Sequence, residues 1–74
     1  MTRIDFELER EFVALNDLLK LAGVCGSGGI GKQIVASGEV SVDGMQELRK
    51  TAKIRAGQVV RWGDVEIFVG GIRE

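Results

Sequence analysis

The sequence predicts an α+β domain: one strand, two short helices that abut, and a run of hairpin-linked strands. Three observations carry this reading. Ile4, Phe6 and Leu8 alternate with charged residues at the period of a strand, while Leu15, Leu18, Leu19 and Ala22 recur at helical spacing. Asp43-Gly44 and Gly63-Asp64 are two-residue turn signals between β-patterned segments.

The first strand follows from Ile4, Phe6 and Leu8 set against Arg3, Asp5, Glu7 and Glu9, a pattern with one buried face. From Leu15 the apolar positions fall at i, i+3, i+4 and i+7, and the stripe stops at Gly23, a natural helix terminator. Ser27 can cap the next helix through its hydroxyl. Ile30, Ile34 and Val35 give that helix an apolar side, and Gly38 closes it. Val40 and Val42 then alternate with Glu39 and Ser41 up to Asp43-Gly44, the dipeptide that a type I′ turn favours. Residues 58–62 and 65–69 flank Gly63-Asp64 as a second hairpin, with Val65, Ile67 and Val69 on one face. Sheet context places Phe6 and Phe68 in the core, and Trp62 in the core or at its rim.

At 74 residues the chain holds one domain, 1–74. A domain of this size buries roughly 60% of the surface that its unfolded chain exposes. The composition, 45% hydrophobic and 28% charged, is that of a globular protein. No apolar run approaches the roughly 18 residues of a membrane span, and the first residues lack the apolar core of a signal peptide. The expected compartment is the cytoplasm, with no membrane partner. A lone Cys25 forms no internal disulfide, and a chain without histidine has neither a zinc-ligand cluster nor a Cys/His nucleophile pair. Cys25 reads as a small buried apolar residue, and no cofactor is expected.

The net charge of −1 argues by itself against a nucleic-acid partner, but its distribution does not. Residues 1–11 and 62–74 are each −2, whereas 12–61 is +3. Such asymmetry can place a basic patch on a neutral protein, although a mixed solvated surface gives similar values.

Gly26-Ser27-Gly28-Gly29-Ile30-Gly31-Lys32 matches G-x-x-x-x-G-K, and its first six residues match G-x-G-x-x-G. A P-loop needs Ser or Thr after the lysine as a magnesium ligand, and Gln33 stands there. Both nucleotide motifs also require a strand leading into the glycines, and the preceding segment is helical by spacing. A nucleotide site is rejected. Two readings remain. The glycines permit a tight turn and close helix packing, or they let a nucleic-acid backbone approach the N–H groups that open the second helix, with Lys32 beside the same phosphate. The second is favoured.

Arg49, Lys50, Lys53 and Arg55 lie within seven residues, in or beside a strand that follows Asp43-Gly44. A charged, solvated edge strand is the competing explanation. The neighbouring residues shift the balance. Leu15-Asn16-Asp17-Leu18-Leu19, Ser27, Lys32-Gln33-Ile34-Val35 and Gly38-Glu39-Val40-Ser41-Val42-Asp43-Gly44 together resemble the S-four RNA-binding domain. "LLKLAGVCGSGGIGKQIVASGEVSVDG", then "LRK" and "AKIRAGQVV", narrow this to the YbcJ-like subgroup of small stand-alone bacterial proteins, over about residues 12–69. The general pattern has Ser-Arg where this chain has Ser27-Gly28, which transfers that arginine's role to Lys32 by position.

The resemblance implies two short helices packed on a small, mostly antiparallel sheet, the αL RNA-binding motif. It brings no catalytic residues, so no enzyme is expected. It implies binding of structured RNA by the second helix and an adjoining strand-turn segment, with ribosomal and transfer RNA both open as the partner. The residues so implicated are Lys20, Ser27, Gly28, Gly29, Lys32, Gln33, Arg49, Lys50, Lys53 and Arg55. With no room for an attached enzyme, the chain is expected to act alone or to recruit another protein, and to be a monomer. A protein-interaction module using the acidic first strand or the basic patch is the alternative.

Overall fold

A computed structural model describes residues 1–71; residues 72–74, the end of the expected domain and of its acidic tail, lie outside the described residues. The elements are β1 (Thr2–Glu7), β2 (Val13–Ala14), α1 (Leu15–Leu21), α2 (Gly28–Ala36), β3 (Val40–Val42), β4 (Met45–Gln46), β5 (Lys53–Ile54), β6 (Val59–Trp62) and β7 (Val65–Gly70). Five strands form a sheet in the order β1-β7-β6-β3-β4, and β2 pairs with β5 separately. Every pairing is antiparallel except β1 with β7, which run parallel from Thr2 opposite Val65 to Glu7 opposite Gly70. The expected α+β architecture, two helices on a mostly antiparallel sheet, is the one found.

Local chemistry sets the element ends. The Leu8 N–H still donates to the Gly70 carbonyl at 3.0 Å, so the β1 ladder runs one residue past its last strand residue. Past the end of α1, the Gly23 and Val24 N–H groups return to the Lys20 and Leu19 carbonyls, the paired bonds of a Schellman cap. Ser27 caps α2 as its sequence position implies, its Oγ accepting the Ile30 N–H at 3.2 Å. Between β3 and β4, Asp43 and Gly44 have φ of 53° and 84°, the two positive values that a type I′ turn requires. Asp43 tolerates this conformation with its carboxylate occupied, Oδ1 accepting the Val59 N–H at 3.0 Å and Oδ2 accepting from Gln58 at 3.3 Å.

The core lies between helices and sheet. Leu15, Leu18 and Leu19 of α1 and Val35 of α2 meet Val40, Val60 and Ile67 of the sheet and Ile54 of β5, all fully buried. Each such side chain contributes roughly 1.5–3 kcal/mol by leaving water. Phe6, Trp62 and Cys25 pack against this cluster as expected.

Three expectations need correction. Phe68 is not in the core: strand alternation sends its neighbours Ile67 and Val69 inward, so Phe68 faces outward, half-buried, with the Arg3 guanidinium 4.1 Å from its ring centroid. Ile30 is not on the apolar side of α2 but 46% exposed in its first turn. The strand after Asp43-Gly44 ends at Gln46, so Arg49 and Lys50 lie in irregular chain and Lys53 belongs to β5, in the smaller sheet.

Candidate nucleic-acid interface

One residue that sequence reasoning assigned no role draws the basic segment and α2 together. Asn16, in the first turn of α1, is 6% exposed. Its N–H donates to the Lys50 carbonyl at 3.0 Å, and its Nδ2 donates to the Gly28 carbonyl at 3.4 Å. The Leu15 N–H donates to the Ala52 carbonyl at 2.9 Å, so the chain at 50–52 closes the start of α1. The helices touch where Gly31 meets Asn16: a Cβ at Gly31 would stand 2.5 Å from the Asn16 carbonyl oxygen. Only glycine permits that approach. At the far end of α2, Gln46 Nε2 donates to the Gly38 carbonyl at 2.8 Å. The segment from Gln46 to Lys50 is thus pinned at both ends of α2 and runs alongside it.

The opening turn of α2 presents donors. Ser27 Oγ satisfies Ile30, while the Gly28 and Gly29 N–H groups have no partner among the described residues. The two glycines differ. Gly28 is half-buried against α1, where a Cβ would come within 3.4 Å of both Asn16 Nδ2 and Asp17 Oδ1. Gly29 is exposed, with only Ser27 Oγ near the Cβ position, at 3.8 Å. The open side of this turn is therefore the Gly29 side, while the Asp17 carboxylate flanks the other. Lys32 and Gln33 are exposed on the same helix.

The cations singled out in the sequence fall into two groups. Lys32 and Lys50 make no ion pair among the described residues. Arg49 does: the Glu47 carboxylate accepts from its backbone N–H at 3.0 Å, from Nε at 3.0 Å and from a terminal nitrogen at 3.1 Å. These bonds hold the Glu47 carboxyl below its ordinary range and raise the Arg49 guanidinium above its own. The second group gathers at Phe12. Lys53 Nζ lies 5.0 Å and the Arg55 guanidinium 5.8 Å from the Phe12 ring centroid, and Arg55 reaches Glu11 at 3.8 Å. Lys20 lies in the last turn of α1, on a groove shared with Phe12, Leu8 and Leu21. Of the ten residues singled out in the sequence, Ser27, Gly28, Gly29, Lys32, Gln33, Arg49 and Lys50 belong to α2 and the segment beside it. Lys20, Lys53 and Arg55 gather near Phe12. Among the described residues, no group of three or more Cys, Asp or Glu is placed to hold a metal ion, and no helix is long and apolar enough to cross a membrane.

The family model of the S4 domain matches residues 6–70. The chain belongs to the S4 domain family. YbcJ of Escherichia coli strain K12 and YbcJ of Shigella flexneri are each 54% identical to it over 57 residues, covering 77% of this chain and 81% of theirs. The solution structure of Escherichia coli YbcJ superimposes on this S4 domain with a TM-score of 0.72 and 43% identity, over 90% of this chain and 86% of that one. That structure is described as revealing an αL motif involved in RNA binding.

Two functional candidates in this S4 domain were not singled out by the sequence reading. Asn16 carries a signal in hindsight, a polar residue beside Leu15 in an otherwise apolar stripe. Glu47 carries almost none, because a carboxylate two residues before an arginine predicts no clamp.

Proposed function

We propose that this S4 domain binds structured RNA and carries out no chemistry on it. A backbone phosphate lies against the Gly28-Gly29 turn of α2, and Lys32 and Lys50 neutralise that phosphate and its neighbours. Lys53, Arg55 and Lys20 extend the basic surface along the Phe12 side. The observation that carries this reading is the Asn16 bridge, which ties the donor-rich turn of α2 to the backbone of Lys50, a residue with no ion pair among the described residues. Preorganised donors and cations lose little freedom when a rigid RNA surface arrives, which favours recognition by shape. The description of the YbcJ motif as involved in RNA binding supports the same partner. We place the protein in the cytoplasm, as a monomer acting on ribosomal or transfer RNA.

Anisotropy titration of a labelled RNA stem-loop at several salt concentrations tests this, with an unstructured strand of equal length as control. Preference for the stem-loop and a salt slope of several phosphates are expected. Absence of binding at low salt would turn attention to β1, an edge strand of the sheet, as a site for adding a partner protein's strand.

A further inference from the structure

The Glu47–Arg49 pair does not fit the role of a phosphate neutraliser. Its formal charges cancel, so Arg49 brings no net attraction for phosphate while Glu47 holds it. The pair does fix a guanidinium in space. Glu47 is tied to the sheet by its N–H, which donates to the Val40 carbonyl at 2.9 Å, and its side chain is only 18% exposed. The Arg49 side chain is 79% exposed. Glu47 occupies the guanidinium edge formed by Nε and one terminal nitrogen. The other edge, formed by the two terminal nitrogens, has no protein acceptor among the described residues.

Building on the RNA-binding reading, we infer that Arg49 recognises an unpaired guanine in the bound RNA through this free edge. Two parallel donors match two adjacent acceptors, and an uncharged pair of acceptors is not repelled by Glu47. Guanine offers such a pair in O6 and N7. Adenine sets a donor beside its N7, and uracil alternates acceptors with a donor. Unpaired cytosine has an adjacent pair in O2 and N3, closer together than O6 and N7, so a cytidine bulge is the sharpest control. In paired A-form RNA these atoms lie in a deep, narrow groove that side chains do not enter, so the guanine must be bulged or looped out. Leu48, 56% exposed and adjacent in the chain, offers apolar surface to the face of such a base. The segment lies alongside α2, so base and phosphate contacts fall on one surface.

The test uses one RNA stem carrying a single bulged nucleotide, either guanosine, adenosine, cytidine, uridine or 7-deazaguanosine, titrated at several salt concentrations. The guanosine bulge should bind roughly tenfold tighter than any other, including the 7-deaza form, which lacks N7 alone. Arg49→Lys keeps the charge but loses the fork, so it should erase the preference and leave the salt slope unchanged. Glu47→Gln should weaken the preference while steepening the salt slope by about one phosphate. Thermal melts check that both variants fold; if Glu47→Gln does not, Arg49→Lys and the 7-deaza RNA still decide. Equal binding of all five bulges with a normal salt slope overturns the guanine assignment and leaves the RNA-binding reading standing. So does an Arg49→Lys variant whose slope flattens. Failure of the wild-type chain to bind any of these RNAs at low salt overturns both.

Discussion

The outer face of the sheet and the α2 face both carry arginine or lysine, but they dispose of the charge differently. On the sheet, Arg3 pairs with Asp5 and also covers Phe68, and Arg61 pairs with Glu66 across β6 and β7. Each cation there has an anion. Beside α2, Lys32 and Lys50 have none among the described residues, and the Gly28 and Gly29 N–H groups point at no protein acceptor. A net charge of −1 therefore says little about where a polyanion docks. Local pairing decides it, because a cation already matched to a carboxylate releases few counterions on binding.

The strongest way to break this comparison is to remove what both faces share. Leu19→Ala, in the core under helix and sheet alike, should cost about 2–5 kcal/mol in urea denaturation and weaken RNA binding only by unfolding the chain. Gly31→Ala targets the α2 face alone. Its new Cβ meets the Asn16 carbonyl oxygen at 2.5 Å, so α1 and α2 must part, at about 1–3 kcal/mol in the same experiment. Gly29→Ala sharpens the point: the position is open, so stability should change by less than about 1 kcal/mol, yet RNA affinity should fall as the added methyl holds off the phosphate. A Gly29→Ala variant with full affinity would move the phosphate elsewhere.

Charge reversal compares the faces directly. Lys32→Glu with Lys50→Glu should flatten the salt dependence of RNA binding by about two phosphates, whereas reversing both partners as Arg61→Glu and Glu66→Arg should leave it unchanged. The smallest effect is on pH dependence. Arg49 lowers the folded-state pKa of Glu47, so this pair stabilises the fold above the unfolded carboxyl's pKa and ceases to do so as pH falls through the folded value. Acid melts of wild type and Glu47→Gln should therefore converge at the acid end and separate slightly toward neutrality.

Much of the fold was legible because its signals are local. The Leu15–Ala22 stripe, the Ser27 cap and the Asp43-Gly44 turn involve residues one to seven apart, and all three appear where the sequence placed them. The α2 part of the candidate site was legible for the same reason. At Phe68 strand alternation overrides apolar character, because Ile67 and Val69 on either side take the inward positions. The basic cluster was seen as a unit, but its members part company: Lys50 joins α2 through Asn16, Lys53 and Arg55 turn to Phe12, and Arg49 is claimed by Glu47.

Taken alone, the sequence determined the first strand, the two helices, the last hairpin, where the main turns fall and which family the pattern resembles, since backbone preference and hydrophobic period act between near neighbours. Tertiary structure alone decided that β1 runs parallel to β7, that Gly31 rather than Gly29 admits the neighbouring helix, and which cations have no ion pair among the described residues. Those outcomes depend on contacts between residues distant in the chain, or on side-chain geometry that settles only once the backbone is packed.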